Sequence, residues 1–173
     1  MQFQTGVFLL LLLSSAAAFV APQHSSYDLR VEHMPSPAMS IDASITKPRF
    51  SWRILHAARA QRLTAYRIVV STDVKGSDVL WDSGKVASAP LPFGHLVPYA
   101  GAPLTYGSTF YWTVVWWDAD DAQSLNAMAT FDTAPATGDW SRAAWVSGYG
   151  NTALIRGDVS LSSNPVRARL YVL

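Results

Sequence analysis

Twelve carboxylates are the first side chains in this 173-residue chain that could do chemistry: eleven Asp and a single Glu, Glu32. Two positioned carboxylates can hydrolyse a glycosidic bond, one donating a proton while the other activates water or attacks. Here the Asp residues sit at strand ends and turn signals, and no spacing singles out a pair. Asp118, Asp120 and Asp121 offer oxygens for Ca²⁺. A calcium loop, however, wants Gly at its sixth position and Glu at its twelfth, where this chain has Gln123 and Ala129. Those Asp therefore read as turn residues that satisfy local backbone. Gly148-Tyr149-Gly150-Asn151-Thr152-Ala153 fits the dinucleotide pattern G-x-G-x-x-G/A, yet Leu154 to Val159 after it is extended and broken by Gly157. Without a helix N-terminus nothing holds a pyrophosphate, so this is a Gly-rich turn. His24, His33, His56 and His95 are scattered, without H-E-x-x-H, and read as surface or half-buried residues. No Cys and no G-x-S-x-G elbow is present. The residues thus predict no catalytic group, no metal site and no cofactor.

Aromatic side chains are the better candidates for contact. In Phe110-Tyr111-Trp112-Thr113-Val114-Val115-Trp116-Trp117 one face carries Phe110, Trp112, Val114 and Trp116. The other carries Tyr111, Thr113, Val115 and Trp117. The first face is core. The second is also largely apolar and needs a cover. A neighbouring domain or strand is the commoner cover, and a sugar is the alternative. Tyr111, Val115, Trp117, Trp140 and Trp145 are the candidate contact residues.

The elements that must position them are strands. The hydrophobic period is two throughout. Strand patterns run over Arg49–Ile54, Thr64–Val70, Val79–Trp81, Thr109–Trp117 and Ala127–Thr133. Turn chemistry at Asp73–Ser77, Asp82–Gly84, Gly101–Pro103 and Asp118–Asp121 separates them. His56–Arg62 is a linking loop. An edge strand over Tyr27–His33, broken by Pro35-Ser36-Pro37, completes an all-β sandwich. Ala134-Pro135-Ala136-Thr137-Gly138 marks a domain boundary. Three strand-like runs follow it, ending in the half-buried pattern Val166–Leu173. Three strands cannot build an ordinary core alone, so they either open a second domain or complete the first.

Composition narrows the function. The chain is 50% hydrophobic, 12% aromatic and only 14% charged, against about 25% charged in typical soluble domains. Thirteen basic against twelve acidic residues leave a net charge of +1, so no electrostatic footprint for nucleic acid exists. Residues 1–27 carry no charged side chain, and Val7–Leu13 is an apolar core followed by Ser14-Ser15-Ala16-Ala17-Ala18. This is the layout of a signal peptide cleaved after Ala18, too short for a membrane span. It predicts a secreted chain with no membrane contact after cleavage. Ala17-Ala18-Phe19-Val20-Ala21-Pro22 also resembles a plastid presequence cleavage motif, which makes plastid delivery the alternative.

Across residues 48–173 an ordered set of fragments resembles a family. They are Pro48-Arg49-Phe50-Ser51-Trp52, Gln61 through Thr72, Leu80-Trp81-Asp82-Ser83-Gly84-Lys85-Val86 and Phe110-Tyr111-Trp112. Trp117-Asp118-Ala119-Asp120, Phe131-Asp132-Thr133, Asp139-Trp140, Ala144-Trp145-Val146, Ala153-Leu154-Ile155-Arg156 and Val166–Val172 follow. Together they are similar to the N-terminal part of secreted α-L-rhamnosidases of glycoside hydrolase family 78. The resemblance implies a fibronectin type III/immunoglobulin-like sandwich over residues 27–135. It implies the opening strands of a truncated second β-sandwich over residues 139–173. It also implies that the catalytic α/α barrel of an inverting hydrolase lies downstream, outside this chain. Phe110 stands where such sandwiches often carry a corner Tyr, and Trp116 replaces a smaller core residue. The implied partners are the parent's downstream domains and rhamnose-containing glycans. A free-standing carbohydrate-binding or adhesion module is the alternative, with Tyr111 and Trp117, or Trp140 and Trp145, as stacking platforms. A complete small enzyme using an Asp pair is the third reading.

Overall fold

A computed structural model describes residues 24–42, 47–91, 96–142, 158 and 160–165. The predicted leader 1–18, the plastid-like motif, His95, Trp145, the Gly148–Ala153 turn and the Val166–Leu173 strand lie outside the described residues. The chain divides into two compact units, one through Ala136 and one from Thr137. Among the described residues ten strands are found, and all lie in the first unit. In the second, the described residues include a short 3-10 helix, Thr137–Arg142. Among the described residues no helix is long and apolar enough to cross a membrane.

The first unit is a two-sheet sandwich. One sheet has the order β2-β1-β4-β8, from Met34–Pro35, Ser25–Val31, Arg49–Leu55 and Val97–Pro98. The other has the order β3-β10-β9-β5-β6, from Ala38–Ile41, Ala127–Thr133, Thr109–Trp117, Leu63–Ser71 and Val79–Asp82. A further strand, β7 (Val86–Leu91), pairs with the first half of β5. Among the described strands only β3 runs parallel to its neighbour, β10; the other pairings are antiparallel.

Alternation places the core. On β4, Phe50 and Trp52 point in; on β9, Phe110, Trp112, Val114 and Trp116 do. Ile68 and Val70 of β5 and Ala129 and Phe131 of β10 fill the layer between. Phe50 packs on Trp112 with ring centroids 4.8 Å apart, and Trp52 meets Tyr66 edge-on at 5.6 Å. Large aromatic bodies are thus the bulkiest side chains of the core. Trp116 is accommodated at the sandwich end, its Nε1 donating to the Ser25 carbonyl at 3.2 Å. Phe110 packs on Phe131 at 5.3 Å, and the buried tyrosine hydroxyl bond arises elsewhere, from Tyr99 to the Ala102 carbonyl at 2.8 Å.

The first strand differs from its expectation. β1 is Ser25–Val31, and it lies between β2 and β4 instead of at an edge. The chain turns at Glu32 and His33, both with positive φ, forms the two-residue β2, and then crosses to the other sheet as β3. Pro35 and Pro37 keep β2 short, because each removes a ladder donor.

Glu32 has a structural role at that turn. Its carboxylate accepts the Arg49 backbone N–H at 2.6 Å and the guanidinium Nη2 at 2.6 Å. The Arg49 side chain holds the Glu32 carboxyl below its ordinary range. Asp82 is lowered likewise, first by the Arg67 side chain, and Asp73 by the backbone amide of Asp78. A carboxyl whose folded pKa is depressed stabilises the fold above its unfolded pKa and ceases to do so as pH falls through the folded value. The melting temperature should therefore be flat from about pH 7 to 5 and fall below about pH 4. Thermal unfolding across that range checks it, and combining Glu32→Gln with Asp82→Asn should flatten the acid limb.

Candidate functional site

The outer face of the larger sheet is built by the second face of β9. Tyr111, Thr113, Val115 and Trp117 are each half-buried there. Cross-strand register sets Tyr111 beside Ser71 and Thr130, Thr113 beside Val69 and Met128, Val115 beside Arg67, and Trp117 beside Ala65. The first three line an open groove of about 440 Å³, together with Arg67, Asn126 and Met128 among others. No residue lining this groove is an Asp or Glu. Arg67 is held by Asp82, its Nε 2.9 Å from Oδ1 and its Nη2 2.5 Å from Oδ2. The groove therefore presents an aromatic ring, two basic side chains, amides and aliphatic surface.

Trp117 stands apart from that groove. The Lys85 ammonium sits 4.4 Å from its ring centroid and also pairs with Asp121 at 2.5 Å. A cation over the ring satisfies it electrostatically, so that face of Trp117 is already covered. Trp140 belongs to the second unit, half-buried in the 3-10 helix. Among the candidates in the first unit, Tyr111 and Val115 share a groove, and Trp117 has its own cover.

The fold also assembles a group that the scattered histidines conceal. His24 precedes β1, His56 follows β4 and Asp118 follows β9. One ligand atom from each lies within 4.8 Å of the others. His24 is 3% exposed, in contrast to the surface or half-buried place expected for it. Its ring packs edge-on against Trp116 at 4.6 Å, and its Nε2 donates to the Ala122 carbonyl at 3.0 Å. Asp118 Oδ1 accepts the amides of Asp120 and Ala122, both at 2.9 Å. Burial pushes the Asp118 carboxyl up, but these amides and the two imidazoles outweigh it and keep it below the usual range. Its Oδ2 lies 3.3 Å from His56 Nε2. The only sequence signal for this group was that each member flanks a strand at one end of the sandwich.

A family model described as the Rha78A-like, N-terminal immunoglobulin domain matches residues 26–137. The chain belongs to this family. An α-L-rhamnosidase of Streptomyces avermitilis is 38% identical over 122 residues, covering 68% of this chain and 11% of that protein. An α-L-rhamnosidase of Formosa agariphila is 30% identical over 105 residues, covering 58% of this chain and 11% of its own. Among solved structures, the S. avermitilis α-L-rhamnosidase complexed with L-rhamnose superposes with a TM-score of 0.59 at 34% identity, over 70% of this chain and 11% of that one. The α-L-rhamnosidase from Dictyoglumus thermophilum gives 0.58 at 29%, over 67% and 13%. The Rha78A-like chain thus spans about a tenth of the length of the proteins it matches.

Proposed function

We propose that this chain is the accessory, non-catalytic N-terminal part of an α-L-rhamnosidase, an enzyme removing terminal α-L-rhamnose from glycosides or polysaccharides. The observation that carries this reading is the family match over residues 26–137, set in relatives of which the chain covers only 11%. Residues 139–173 open the next β-sandwich of the same enzyme. The face carrying Tyr111 and Val115 docks against a downstream domain, because half-buried apolar strand faces are characteristically covered within an assembly. Incubated with an aryl α-L-rhamnoside, the purified chain releases no aglycone above the buffer blank. Release of aglycone that tracks the chain through purification and disappears on substituting one of its Asp residues would overturn the non-catalytic assignment.

A further inference from the structure

We propose that His24, His56 and Asp118 form a binding site for one first-row divalent metal ion, with Zn²⁺ its best-fitting occupant. Two imidazoles and one carboxylate are a donor set suited to zinc, and three protein ligands leave the fourth position to water.

His56 is the observation that points to a ligand. Its side chain is only 5% exposed, and its buried Nε2 has a single close polar neighbour, Asp118 Oδ2 at 3.3 Å, in a contact that falls short of hydrogen-bond geometry. A buried polar atom left in that state calls for an explanation, and an ion is one of the standard ones. The surroundings fit the second requirement of metal sites, that outer partners orient the ligands. His24 Nε2 donates to the Ala122 carbonyl at 3.0 Å, which fixes the orientation of its ring beside the group. Asp118 is fixed through Oδ1 by the amides of Asp120 and Ala122, which directs Oδ2 to the group.

Closure is small. Tetrahedral zinc ligands at the usual bond lengths sit about 3.4 Å apart, and the three atoms here already lie within 4.8 Å. One local bond changes. His56 Nδ1 accepts the Ala58 amide at 2.9 Å, which places the neutral ring's proton on Nε2. Ligation through Nε2 moves that proton to Nδ1, and the exposed Ala58 amide turns to water. His24 and His56 flank strands of one sheet and Asp118 a strand of the other. The ion would therefore tie the two sheets together at one end, in a chain with no cysteine to do so.

The test uses the purified chain stripped with EDTA and dialysed. Titration with ZnCl₂ by calorimetry and with CoCl₂ by visible absorption should each give one ion per chain. The cobalt spectrum should show the intense d–d bands of a four-coordinate site, and the loaded chain should melt at a higher temperature than the stripped one. His56→Ala and Asp118→Asn should each weaken binding by about 100-fold or more, beyond the about 10–100-fold cost of losing an outer partner. His33→Ala, at an exposed position, should leave it unchanged. Because Asp118→Asn removes a turn anchor, circular dichroism of each variant accompanies the titrations, and His56→Gln replaces any variant that does not fold. Absence of stoichiometric binding, or binding that survives loss of His56, overturns the proposal.

Discussion

Replacing Trp112 with alanine is expected to cost about 3–5 kcal/mol, a large part of the about 5–15 kcal/mol that holds a domain together. Trp112 is fully buried at the middle of β9, with Val70 of β5 on one side and Ala129 of β10 on the other. Phe50 reaches its ring from the opposite sheet at 4.8 Å. Its removal opens a cavity where the two sheets meet, and neither can collapse into it without losing strand register. Urea denaturation followed by circular dichroism reads the cost directly. Trp112→Phe is the informative companion. The indole Nε1 is buried without a hydrogen-bond partner, so phenylalanine forfeits volume alone and should retain most of the stability. If both variants lose equal amounts, the packing account of this position is wrong.

The second large effect is expected from Gly101→Ala. This glycine is kept by proximity, not by backbone conformation. A Cβ built on it would lie 2.4 Å from the Tyr99 hydroxyl oxygen and 2.5 Å from the Trp81 Cβ. Tyr99 is fully buried and bonded to the Ala102 carbonyl, and Trp81 is fixed on β6, so neither can simply swing away. Overpacking of this kind typically costs about 1–3 kcal/mol. Loss of the Tyr99 bond would add to that. Gly138→Ala is the control, since a Cβ there meets nothing within 4 Å. The two variants should separate clearly in thermal melts, with only the first falling.

How much of this was legible in the sequence depends on the range of the signal. The strands over Thr109–Trp117 and Ala127–Thr133 agree with their period-two patterns, because nine and seven residues are enough for alternation to declare itself. The four-residue β3 and the two-residue β2 and β8 carry no period and were missed. β7 escaped notice because Val86–Leu91 contains Pro90 and little aromatic content. The position of β1 depended on pairing, which local pattern does not encode. The two faces of β9 were readable, but the Lys85 ammonium over Trp117 was not, since it arrives from another strand's turn. The meeting of His24, His56 and Asp118 is the extreme case: three strand ends far apart in the chain become neighbours only when two sheets stack. Conversely, the resemblance to rhamnosidase N-terminal domains rested on many short fragments in order, and such order survives where any single fragment would be ambiguous.

The two-residue strands that border the smaller sheet, Met34–Pro35 and Val97–Pro98, bear on association. A border strand usually offers a row of free amides on which a foreign strand can polymerise. Here each border is too brief to template one, and each ends in a residue without an amide hydrogen. Neither border strand can itself carry a ladder of exchanged strands between copies. A companion domain would then be met by laying surface against surface, and the rotational setting of that encounter would be chosen by side chains instead of by backbone.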